Sequence, residues 1–138
     1  MKTKTLLAGL ALVALTGCSS TVPSEYVKDV AYVNRTPWAE NYQTVYRKVV
    51  KFSEACFQRG AISGFRVERD LFPDIQEGRV AIITEGLGSR PFILFVVDIK
   101  PTKAPNESEV AVYAQYEGWS KKATVWMSDL SKGKEGCV

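Results

Sequence analysis

The stretch Pro91–Ile99 constrains this chain most. After the proline it reads Phe-Ile-Leu-Phe-Val-Val-Asp-Ile. Whichever way its side chains alternate, both faces of a strand made from it are apolar. Such a run belongs in the middle of a sheet, with partners on both edges. Its neighbours in the chain supply them. Phe65, Val67 and Leu71 alternate with Arg66, Glu68 and Asp70, the pattern of a half-buried strand. Phe72-Pro73-Asp74 ends that strand, and Arg79–Glu85 forms the next. Gly86-Leu87-Gly88-Ser89 is the hairpin loop into the apolar strand, and Lys100–Ser108, with Pro101, Pro105 and Asn106, connects out of it. A fourth strand spans Glu109–Glu117, with Val110, Val112, Ala114 and Tyr116 on one face.

Helical periods flank this block. Trp38, Tyr42, Val45, Val49, Phe52 and Cys56 recur at spacings of 4, 3, 4, 3 and 4, one apolar stripe on a helix. Thr36 as N-cap and Pro37 as first helical residue predict its start, and Gly60 predicts its stop, for a helix over 37–58. Trp119, Ala123, Trp126 and Leu130 predict a shorter second helix. The expected fold is α+β: a two-layer α/β sandwich, a four-stranded antiparallel meander with two helices on one face, in the order α-β-β-β-β-α.

The N-terminus is of another kind. Lys2 and Lys4 precede an apolar run, Leu6–Leu15, the layout of an export signal. The run is too short to span a bilayer comfortably, which takes roughly 20 apolar residues. It ends in Leu15-Thr16-Gly17-Cys18, which resembles the lipobox of small bacterial lipoproteins. The resemblance implies removal of residues 1–17, lipid on Cys18, and a body anchored to the cell envelope; Ser19 after the cysteine implies sorting to the outer membrane, facing the periplasm. Residues 18–35 then read as a lipid-anchored tether and 36–138 as a single domain. The α-β₄-α order is also similar to envelope-assembly lipoproteins such as the lipopolysaccharide-transport plug component.

With Cys18 lipidated, Cys56 and Cys137 remain in an oxidising compartment, and the economical expectation is a disulfide between them. The chain has no histidine, which removes His-dependent triads and His-ligated zinc; no metal site and no cofactor are expected. Of 18 basic and 15 acidic residues, Lys2 and Lys4 leave with the signal, so the mature chain has 16 against 15. Such a balance gives no footing for nucleic acid.

Several groups are weighed as sites. Glu85–Arg90 contains two glycines, but it opens onto a strand and reads as a hairpin turn rather than a phosphate cradle. Glu68, Asp70, Asp74, Glu85, Asp98 and Glu117 offer carboxylates for acid/base chemistry, with no spacing that brings two together. Asp98 interrupts an apolar strand and is expected near a strand end, close to water. Trp38, Trp119 and Trp126 fit core packing better than a ligand platform. The remaining candidate is the sheet face away from the helices. If Ile93, Phe95, Val97 and Ile99 face the helices, then Phe92, Leu94 and Val96 point the other way, joined by Ala81, Ile83, Ala111 and Tyr113. That face would meet a partner protein, a second copy or a lipid chain, or be covered by the tether through Tyr26 and Tyr32. Two functions stay open: a non-enzymatic binding or envelope-assembly accessory, and an enzyme or enzyme inhibitor acting on cell-wall or other glycans, which would need converging carboxylates or a protruding loop such as Lys100–Ser108.

Overall fold

A computed structural model describes residues 32–58, 64–85 and 91–137. The lipobox with Cys18, the tether up to residue 31 and the loop 86–90 lie outside the described residues. Strand β1 (Tyr32–Trp38) comes first, then helix α1 (Tyr42–Ser53), which continues into a π turn, Glu54–Gln58. Strand β2 (Phe65–Phe72) follows and leads through a 3₁₀ turn, Pro73–Ile75, into β3 (Glu77–Thr84). Strands β4 (Phe92–Pro101) and β5 (Ser108–Ala114) and helix α2 (Glu117–Ser131) complete the order. The class is α+β, with one antiparallel sheet of five strands in the order β1-β5-β4-β3-β2.

The fifth strand corrects the expected four. Residues 32–35, read as the end of the tether, and Thr36-Pro37, read as a helix start, are all part of β1, which pairs with β5 from Tyr32↔Ala114 to Trp38↔Ser108. Proline is tolerated there because β1 is an edge strand, where a missing N–H interrupts no ladder. The helix starts later, at Asn41, whose side-chain oxygen accepts from the Gln43 N–H at 2.9 Å. Trp38 is thus a strand residue, buried at the end of β1. At the other end of α1 the π turn inserts an extra residue, so that Cys56 and Phe57, adjacent in sequence, are both buried.

Both helices pack into one core. Val45, Val49 and Phe52 of α1 and Ala123, Met127 and Leu130 of α2 meet Val67, Val80, Ile82, Phe95, Val97, Ile99, Val110 and Val112 of the sheet. At its centre Phe95 is inaccessible and touches Phe57, Trp119 and Trp126, with ring centroids 5.7, 6.5 and 6.1 Å away. Gly78 is required where α1 crosses β3: a Cβ there would stand 2.6 Å from Cδ2 of Tyr46.

The register of β4 departs from simple alternation. Ile82 faces Phe95 and Ile83 faces Ile93, so Leu94 is the extra residue of a β-bulge. Leu94 and Phe95 therefore both belong to the helix-side core, and Ile93 turns to the opposite face. The expected sides of Leu94 and Ile93 are exchanged.

Candidate functional site

Opposite residues of antiparallel strands share a face, so the register spells out the side away from the helices. Its apolar half is Ala81, Ile83, Ile93, Val96, Ala111 and Tyr113. These side chains are only 0–9% exposed, so the expected open patch is not open; of the residues placed on it, Leu94 lies in the other core and Phe92 is a strand-end residue packed edge-on against Tyr116 at 6.5 Å. Ile83, Val96 and Tyr113 do share this face.

The other half of the face carries a lattice of charges. One row across the sheet runs Arg35, Ala111, Asp98, Arg79, Asp70; the next runs Pro37, Glu109, Lys100, Glu77, Phe72. Arg79 donates to Asp98 through Nε at 2.8 Å, and Asp98 is 3% exposed. It is thus a buried ion-pair member in mid-strand, not a residue near water: strand register places a guanidinium directly opposite it. Lys100 pairs with Glu77 at 2.5 Å, and that hydrogen bond holds its ammonium above the ordinary lysine value. Arg35 pairs with Glu109 at 3.3 Å. A cavity of about 140 Å³ lies between Arg35, Asp98, Lys100 and Glu109, each already in an ion pair: Arg35 with Glu109, Asp98 with Arg79 and Lys100 with Glu77.

Of the other carboxylates, Glu68 and Glu85 meet at one guanidinium, and Glu117 stands apart on α2. Glu68 pairs with Arg66 at 2.8 Å, Glu85 stands 3.7 Å from the same guanidinium, and Glu117 pairs with Lys121 at 2.6 Å on α2. Trp119 and Trp126, tilted to each other with ring centroids 6.3 Å apart, pack against the core cluster that includes Trp38. The sulfurs of Cys56 and Cys137 are 2.05 Å apart, joining the π turn to the C-terminal tail. Beside them is a cavity of about 220 Å³ whose charged walls, Lys48, Lys51 and Glu135, are engaged in the pairs Lys48–Glu40 and Lys51–Glu135.

One exposed apolar grouping departs from the expected alternation, which puts Leu71 with Phe65 and Val67 on the apolar face of its strand. At the β2–β3 connection Leu71, Phe72 and Ile75 are 39, 40 and 63% exposed. Gln76 closes the turn in the left-handed region at φ 55° and donates its N–H to the Pro73 carbonyl at 3.2 Å. The exposed carboxylates Asp70 and Asp74 flank this knob. Next to it Asn41, Gln76 and the 102–107 loop enclose a polar cleft of about 270 Å³. The signal available in the sequence was Phe72-Pro73-Asp74-Ile75, two large apolar residues inside a turn, where solvent-facing polar residues are usual. Knob and cleft lie at the end of the sheet marked by Trp38, Ser108 and Pro101, opposite the end where Tyr32 and Ala114 pair.

Among the described residues no helix is long and apolar enough to cross a membrane, and no group of three His, Cys, Asp or Glu side chains is placed to hold a metal. No protein-family model matches the chain, and no curated protein matches it significantly. A similar solved structure is that of norcoclaurine synthase from Thalictrum flavum in complex with dopamine and hydroxybenzaldehyde, at 11% identity over 95% of each chain with a TM-score of 0.33. A superposition of that quality has no bearing on function.

Proposed function

We propose that this chain is a membrane-anchored periplasmic lipoprotein, held in the outer membrane through Cys18, and that it acts as a non-enzymatic binding or envelope-assembly accessory. One observation carries the binding part: the Leu71, Phe72 and Ile75 knob stands in solvent at the pole of the sheet opposite the chain's entry. Exposed clusters of large apolar side chains mark interaction sites. The exposed Asp70 and Asp74 beside the knob favour, as its partner, an envelope protein with an apolar pocket bordered by basic side chains over an anionic lipid surface.

A glycan-acting enzyme or inhibitor is the second reading, and the neighbouring cleft favours it. Asn41, Gln76 and Asn106 line it with amides that suit a hydroxyl-rich ligand, and Glu107 contributes a carboxylate. Acid/base cleavage of a glycosidic bond employs a pair of carboxyl groups, so on these residues the cleft suits holding a sugar better than hydrolysing it.

A photo-crosslinking residue at position 75, in the lipidated protein within its own envelope, tests the first reading. The expected result is one discrete protein adduct, abolished by Phe72→Asp and weakened by Asp74→Lys. The same probe at Val125, equally exposed on α2 at 57%, should not give that adduct. Phe72→Asp should cost on the order of 1 kcal/mol, since the ring is 40% exposed and the new carboxylate faces Glu77 across the strands. An adduct that persists in Phe72→Asp, or forms equally from position 125, would remove the knob as the binding element.

A further inference from the structure

We infer that the pole where the chain enters the sheet rests on the bilayer, with Tyr32, Phe92 and Tyr116 at headgroup level. This builds on the lipid-anchor reading proposed above. Tyr32, Phe92 and Tyr116 are 51, 39 and 58% exposed, and all lie at one end of the sheet. Tyr32 opens β1 opposite Ala114, the last residue of β5; Tyr116 is two positions beyond Ala114; Phe92 opens β4 and packs edge-on against Tyr116 at 6.5 Å. Helix α2 begins at this end and carries exposed Lys121 and Lys122 in its second turn, with the Lys122 ammonium 5.3 Å from the Trp119 ring.

Aromatic rings with one polar edge, set beside lysines, are the side chains that favour the boundary between water and acyl chains. Tyr32 and Tyr116 supply such phenols, and Phe92 supplies an apolar ring edge-on to that of Tyr116. Chain length selects the bilayer as occupant over another protein. Thirteen residues separate Cys18 from Tyr32. Fully extended they reach about 45 Å, and as a random coil they span about 20 Å. A lipid at Cys18 therefore keeps the Tyr32 end close to the membrane, at a high local concentration of headgroups. The same placement directs the Leu71–Ile75 knob away from the membrane, one strand length further out, about 20 Å.

The test uses the whole lipidated protein, isotopically labelled, in nanodiscs of phosphatidylethanolamine and phosphatidylglycerol, with and without a lipid bearing a paramagnetic headgroup. Amide signals of Tyr32, Phe92 and Tyr116 should relax several-fold faster with the paramagnetic lipid than those of Leu71 and Ile75. Tyr116→Ser should reduce the enhancement at Phe92, and Ile75→Ser should leave it unchanged. Equal enhancement at both poles, or stronger enhancement at Leu71 and Ile75, would overturn the orientation while leaving the anchor intact. Mass measurement of the N-terminal peptide separates the two failures: a chain that carries no lipid and does not float with the nanodiscs would overturn the anchor reading, and the orientation with it.

Discussion

Replacing Cys137 by serine should remove about 4.5 kcal/mol of folding stability. The bond closes a loop with a sequence separation of 81, and the chain-entropy relation assigns a cross-link of that span about this much by restricting the unfolded ensemble. Against a total of about 5–15 kcal/mol for a domain of this size, that is a large fraction. Little else holds the tail: residues 134–137 are exposed and form neither helix nor strand, and the Lys51–Glu135 pair that accompanies the bond is 74 and 68% exposed. Exposed ion pairs contribute about 0–1 kcal/mol. Urea denaturation of the parent and of Cys137→Ser, each with and without reductant, checks this. The parent should fall to the level of the variant on reduction, and the variant should not respond. A loss below about 1 kcal/mol would mean that the bridge contributes little to the fold.

Asp98→Ala should cost about 3–5 kcal/mol, the loss expected when one partner of a buried ion pair is removed. The guanidinium of Arg79 is itself only 15% exposed and donates to Asp98 through Nε at 2.8 Å and through a second nitrogen at 3.4 Å. Taking the carboxylate away removes the Asp98 hydrogen bonds from a guanidinium held between strands with little access to solvent. The double variant Arg79→Met, Asp98→Leu should recover most of the loss, because apolar residues of similar volume avoid the desolvation of both charges. The parent, Arg79→Met, Asp98→Leu and the double variant form a double-mutant cycle. Simple additivity of the two single losses would show that the pair does not act as a unit.

Asp98 also shows where sequence reasoning stops. Its position in an apolar strand was plain, but its partner lies 19 residues away and becomes its neighbour only through the β3–β4 register. The same limit hid the bulge. Alternation along Phe92–Ile99 says nothing of an extra residue at Leu94, which arises from how Ile82 and Ile83 pair with Phe95 and Ile93. Strand β1 was missed for a different reason. Tyr-Val-Asn-Arg-Thr-Pro-Trp has no two-residue alternation, since an edge strand with most of its side chains in solvent needs none, and Thr36-Pro37 imitates a helix start. What was legible rested on burial. The stripe from Tyr42 to Cys56, Phe65 and Val67 of β2, and the apolar run of β4, which fills a cluster on each face of the sheet, record side chains that pack. The knob at Leu71, Phe72 and Ile75 left a local trace, apolar residues within a turn, but their exposure follows only from the fold.

The proposed task of the two poles rests on attachment of the chain through Cys18. Intact-mass and fragment analysis of the N-terminal peptide from protein purified out of its native membrane tests that attachment most directly. The account predicts a mature chain beginning at Cys18, its sulfur carrying diacylglycerol and followed by unmodified Ser19 and Ser20. A chain that retains Met1, or is cut elsewhere with Cys18 unmodified, would contradict it.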